Sequence, residues 1–275
     1  MAKGARSAGP DPIWEAIRTE VASQAKEEPI LASFLHATIL NHQTLEDSLS
    51  FQLAGKLASP SLAPMLVREV IDEALRESPA IGETVRSDIA AVQGRDPACA
   101  GFSEPLLYFK GFHALESYRV THWLWGRNRR SLALHLQSQI SQVFGVDIHP
   151  AARIGAGVFI DHGTSVVIGE TAVIEDDVSM LHGVTLGGTG KVTGDRHPKI
   201  RRGVLIGAGA KILGNVEVCE GAKVGAGSVV LSDVPPHCTV AGVPAKIVGR
   251  PDVEQPALEM DHQLPPANET DRDEP

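Results

Sequence analysis

Four short motifs in this 275-residue chain carry side chains that can do chemistry: Asp96 in GRDP, Asp147 in DIHP, Asp161 and His162 in DHGT, and Arg196 and His197 in GDRHPKI. Imidazole changes charge near neutral pH, so His162 could act as a general base that takes the proton of a nucleophile as it attacks. A carboxylate on the other ring nitrogen would fix the tautomer and stabilise the resulting cation. Arg196 offers the forked donors that match a carboxylate, and Asp96 and Asp161 offer anions to an ammonium group. Taken singly, an Asp-His pair, an RDP turn or an RHP turn is more often solvated surface, so residue types alone leave both readings open. His149 and His182 add imidazoles, but they lack the close pairing that a zinc site requires, and no metal is expected.

These motifs fall in two halves of contrasting composition. Eleven of the twelve aromatic residues lie at or before Phe144, whereas 19 of the 27 glycines lie between Gly145 and Gly249. The stretches IWEAIRTEVASQ, PILASFLHATILNH, LEDSLSFQLAGKL and MLVREVIDEALRES repeat apolar residues at three and four, the stripe of an amphipathic helix. LLYFKGFHALESYRVTHWLW and SLALHLQSQISQVFG extend this pattern around a basic GRNRR turn. Six to eight helices are expected over 12–144, after a disordered 1–11.

From residue 145 to 250 the period is six. Large aliphatic or Met anchors stand at Ile148, Ile154 and Ile160, then after a slip of two at Ile168, Ile174, Met180 and Leu186, and again at Ile206, Ile212, Val218, Val224 and Val230. Four places after each anchor the residue is small or β-branched. A hexad of this kind suits a triangular parallel coil in which every six residues give one short strand and one corner, and its narrow interior has little room for rings. The run GGTGKVTGDRHPKIRRGVL interrupts the hexads, giving an expected projecting loop at about 187–203. Its glycines do not make a phosphate loop, because Thr185 stands at the first glycine position and Val192 follows Lys191.

DIHPAARIG, DHGTSVVIGETAVI, VTLGGTGKVTGDRHPKI, IGAGAKILGNVEV and AGVPAKIVG resemble the serine acetyltransferases, and so do ILASFLHATILNH, AVQGRDPA and LLYFKGFHALESYRVTHWLW. The resemblance runs from about Pro12 to Pro251. It implies an α+β chain, an all-α N-terminal domain followed by a left-handed parallel β-helix, that moves acetyl from acetyl-CoA to the L-serine hydroxyl. It gives His162 and Asp147 the roles of a catalytic dyad and lets Asp96, Asp161, Arg196 and His197 bind serine. Gly188, Thr189, Ala208, Lys223 and Lys246 would contact CoA. The resemblance also implies inhibition by L-cysteine, trimers that pair into hexamers, and active sites between neighbouring coils. Related chains end in isoleucine where they bind cysteine synthase; this one reads TDRDEP, which puts that partnership in doubt. The readings set against it are a sugar O-acetyltransferase on the same coil and a noncatalytic scaffold.

The net charge of −9 is mostly local. Residues 251–275 hold eight acidic side chains against Arg272 alone, so this segment carries −7 and the other 250 residues −2. A nearly neutral body gives no electrostatic footing for nucleic acid. The tail, with five prolines, reads as a solvated acidic extension. No apolar run reaches the ~20 residues of a membrane span. Cys99, Cys219 and Cys238 form no even set and no CxxC, which points to reduced thiols and a cytoplasmic enzyme.

Overall fold

In the computed structural model, residues 11–190 and 193–264 are described. The helices of the first half are α1 (Pro12–Glu27), α2 (Ala32–Leu35), α3 (Leu45–Leu57), α4 (Pro64–Glu77), α5 (Pro79–Arg95), α6 (Ser103–Tyr108), α7 (Lys110–Gly126) and α8 (Arg130–Phe144). Local chemistry sets their ends. The Asp11 carboxylate accepts from Trp14 N at 3.1 Å and Thr44 Oγ1 from Asp47 N at 3.2 Å, while Pro64 and Pro79 open α4 and α5 without needing an N–H partner. Asp11 is therefore an ordered cap, a correction to the disordered 1–11; residues 1–10 lie outside the described residues. PILASFLHATILNH divides into a 3-10 turn at Pro29–Leu31, α2, and a π-helical stretch His36–Leu40, after which Arg18 takes up the free carbonyls of Leu40 and His42.

Gly145, at φ +69°, ends α8, and the chain enters its first strand at the next residue. The second half is a three-faced parallel coil. The first face stacks strands 146–148, 166–168, 185–187, 211–213 and 229–230; the second stacks 153–154, 173–174, 199–200 and 217–218. The third stacks 159–160, 179–180, 205–206, 223–224 and 239–242, closed by antiparallel 245–249. Every hexad anchor named above lies in a strand, and all but Ile154 are buried. Ladder partners such as Ile206 and Val224 lie one 18-residue coil apart. Across the slip of two, Ile148 pairs with Ile168, so the coil lengthens to twenty residues there.

The projecting loop is shorter than expected. Lys199 and Ile200 form a strand of the second face, pairing with 173–174 and 217–218. Ile200 lies six residues before Ile206 and continues the hexads; the polar residues around it hid this single anchor. The one Phe, Tyr or Trp of the coil, Phe159, points out of the prism and packs against Val92 and Cys99 of the helical half.

Helices α5 and α7 fasten the helical half to the coil. Gly111 lies so close that an added Cβ would sit 2.0 Å from Ile160 O. Asp88 on α5 accepts from Val158 N at 2.8 Å, and Arg95 donates to Gly157 O at 2.8 Å and Ser179 Oγ at 3.1 Å. The reading of the tail as solvated is corrected at Pro256–Met260. Helix α9 (Pro256–Glu259) sits on the third face, with Ser179 Oγ donating to Ala257 O at 2.8 Å. Pro256, Ala257 and Met260 give this charged segment an apolar foothold that a charge count averages away. No helix among the described residues is long and apolar enough to cross a membrane.

Candidate active site

The chemistry-bearing residues gather at two corners of the prism. Where the third face turns into the first, the slip of two residues loops out as Asp161–Ser165 and puts Thr164 on the surface, while Val166 fills the interior. His162, Gly163 and Ser165 all take left-handed φ, at +57°, +71° and +62°. A side chain other than glycine at such φ is uncommon and is held there by its surroundings. The turn carries the His162 ring into solvent, 69% exposed, with Nε2 3.6 Å from Asp161 Oδ2. One coil on, His182 occupies the equivalent corner, and the two rings stand edge to face at 5.7 Å. Asp96 caps the C-terminus of α5 at the same corner, its Oδ1 accepting from Ala98 N at 2.8 Å. Burial and the Asp96 charge raise the Asp161 pKa, against the pull of His162. Each carboxylate's charge disfavours ionisation of the other, a repulsion that an ammonium group placed between them would relieve.

At the corner where the first face turns into the second stand Arg196 and His197. Arg196 Nη2 pairs with Glu170 Oε2 at 2.7 Å, and this bond holds the Glu170 carboxyl below its ordinary value. Thr171 Oγ1 accepts from Arg196 N at 3.0 Å and His197 N at 3.1 Å. The His197 ring, 7% exposed, lies against Gly169, where an added Cβ would meet it at 2.1 Å, and near Gly188. Asp147 lies on the first face, in the middle of strand 146–148, and reaches this set only through its charge. Its Oδ1 accepts from Gln137 Nε2 at 2.7 Å and its charge acts on His149. Among the described residues no hydrogen bond joins Asp147 to His162 within the chain.

Five of the six candidates thus form two sets, Asp96, Asp161 and His162 on one corner and Arg196 and His197 on the next, with the first face, which carries Asp147, between them. The candidate CoA residues divide the same way: Ala208 stacks on the His162 corner, and Gly188 and Thr189 begin the loop that leads to Arg196. Lys246 is exposed. The Lys223 side chain, 6% exposed, is engaged within the chain: it donates to Gln263 O and lies 3.5 Å from Asp261 under the C-terminal segment. Glu170 and Thr171 escaped the sequence reading. The available signal was position: a loop leaving a corner is backed by the preceding coil's corner, which is Gly169–Thr171. No group of three or more His, Cys, Asp or Glu among the described residues is arranged to hold a metal ion.

Comparison with known proteins places this fold in a family. Residues 13–117 match the family "Serine acetyltransferase, N-terminal", and 197–232 match "Bacterial transferase hexapeptide (six repeats)". A serine acetyltransferase of Salmonella typhimurium is 59% identical over 92% of this chain and 92% of its own. A solved serine acetyltransferase in complex with cysteine superimposes with a TM-score of 0.91 at 57% identity, covering 92% of this chain and 98% of that one. Another, from Brucella abortus strain S19 in complex with coenzyme A, gives 0.87 at 53% identity over 88% and 96%. An all-α half, a hexad coil and sequence identity of this extent lead to one assignment: the chain belongs to the serine acetyltransferase family of enzymes.

Proposed function

We propose that each active site of this serine O-acetyltransferase is assembled from two copies of the chain, the His162 corner of one facing the Arg196 corner of the next. The observation that carries this is the separation of His162 from Arg196 by a whole face of the prism. The exposed Val167 on that face and the exposed Ile30, Met65 and Leu66 on the helical half are consistent with trimers that pair into hexamers.

L-Serine binds with its ammonium between Asp96 and Asp161 and its carboxylate on Arg196 and His197. Anions at the ammonium keep that nitrogen protonated, so the hydroxyl is the nucleophile. His162 takes the hydroxyl proton as the serine oxygen bonds to the acetyl carbon of acetyl-CoA, with Asp147 of the facing copy orienting the ring. When the tetrahedral adduct collapses the carbon–sulfur bond breaks, and His162 returns the proton to the departing CoA sulfur. Gly188, Thr189 and Ala208 line the groove that takes the pantetheine, with Lys246 toward the phosphates. L-Cysteine presents the same two ionic ends and competes for the serine position. The three free cysteines suit a cytoplasmic setting.

Co-expression tests the shared site. His162→Ala and Arg196→Ala chains are each expected to be inactive alone. Mixed in equal amounts within one oligomer they should regain roughly a quarter of the sites, because a site keeps both native residues when each chain lends its intact corner. The reading is a thiol-release assay with acetyl-CoA and serine. No recovery in isolated mixed oligomers would place the whole site within one chain and overturn the proposal. The same assay with serine, homoserine and a galactoside should show a preference for serine.

A further inference from the structure

Four hydrogen bonds converge on Thr171 and His197. Thr171 Oγ1 accepts from the backbone N–H groups of Arg196 and His197, at 3.0 and 3.1 Å, which occupies both of its lone pairs. The same oxygen lies 2.9 Å from His197 Nδ1, and the Thr171 backbone N–H donates to that nitrogen at 3.1 Å. An amide N–H can only donate, so Nδ1 must accept. The hydroxyl, with both lone pairs taken, has only its proton left to offer. The Asp195 carboxylate is also within reach of that hydroxyl, yet wherever the hydroxyl proton points, the amide still fixes Nδ1 as an acceptor. A neutral imidazole that accepts at Nδ1 carries its proton on Nε2.

We infer that Thr171 is a positioning residue that locks His197 as a neutral Nε2–H donor to the acceptor's carboxylate, beside Arg196, and so excludes His197 from acting as a second base. The charges facing the ring agree: Arg196, Lys199 and His149 stand around it with Glu170 as the opposing acid, and burial together with Arg196 lowers its pKa. By bonding both N–H groups of the Arg196–His197 turn, the one hydroxyl also sets where the guanidinium starts. The inference rests on the carboxylate clamp proposed above, and the two are separable by experiment.

The first arm is the side-chain 15N spectrum of the histidine-labelled full-length oligomer without substrate, with His197→Gln used to assign the signal. The expected spectrum shows a bare Nδ1 and a protonated Nε2 from pH 6 to 9. A protonated Nδ1 or an imidazolium within that range overturns the inference, whatever becomes of the clamp. The second arm is kinetic. Thr171→Val should raise the KM for serine roughly 10- to 100-fold through the lost hydrogen bonds, with kcat changed less than about threefold, and Thr171→Ser should restore the wild-type KM. A fall in kcat with KM unmoved, or a Ser variant as poor as Val, would show that the hydroxyl does not position the carboxylate partners. Arg196→Ala with an unchanged KM would instead remove the clamp and leave the tautomer standing.

Discussion

Replacing His162 should lower kcat by roughly 10²- to 10⁴-fold, the usual contribution of a positioned base, with the oligomer intact. The ring is mostly in solvent and supports no core contact, so its loss leaves nothing unfilled. Its backbone, at φ +57°, is the complication. Alanine there pays the left-handed penalty of ~1 kcal/mol, whereas asparagine tolerates the region, so His162→Asn removes the base while sparing the turn. Thiol release reads the rate, and size-exclusion chromatography with thermal melting reads the assembly. A variant that turns over at the wild-type rate would leave the coil without its base. An unchanged melting temperature beside a collapsed rate is what a purely structural role for this ring does not allow.

The fold was legible in the sequence because a six-residue period is dictated by the prism itself: each anchor must fill the same narrow interior, and even the slip of two appeared as a change of phase. That slip marks the corner where His162 protrudes, so the register error was also the pointer to the site. Ile200 was missed because one anchor amid Pro198, Lys199, Arg201 and Arg202 makes no visible period; only counting back from Ile206 finds it. Which candidates meet was not legible. Period gives each residue its place on the coil but not the neighbour that place faces, and Asp147 and His162, fifteen residues apart in sequence, occupy a strand of the first face and the corner before that face. Lys223 shows the same limit, since no spacing rule says that a segment forty residues later will cover it. Thr171 acts through hydrogen bonds to a loop 25 residues further on, and a lone threonine leaves no compositional trace.

Asp88→Ala should destabilise the protein by about 3–5 kcal/mol, because it strands a buried guanidinium. Asp88 is 0% exposed on α5. It accepts from Arg119 Nε at 3.1 Å and from Nη2, and its other oxygen takes Val158 N of the coil. Arg119 in turn donates to Gly155 O at 2.9 Å, so the pair bolts both helices to the prism. A melting temperature of the order of 10 °C lower is expected. Because α5 ends at Asp96, the KM for serine should rise as well. Glu116 completes the cluster but behaves differently. Arg119 Nε is 3.3 Å from Glu116 Oε2, yet neither carboxyl oxygen has a well-directed donor. Burial first, then the Asp88 charge, raises its pKa well above the ordinary glutamate value, which favours the protonated acid beside Asp88. An acid whose folded pKa is raised costs no stability below its unfolded pKa of about 4.3; above it the unfolded chain releases a proton that the folded chain keeps, and stability falls as pH rises. Glu116→Gln keeps the shape and a donor toward Asp88 while removing that titration. Its melting temperature should match wild type near pH 4.5 and exceed it increasingly toward pH 8. A variant less stable than wild type, with the deficit widening toward pH 8, would mean that Glu116 is ionised and is itself the partner of Arg119.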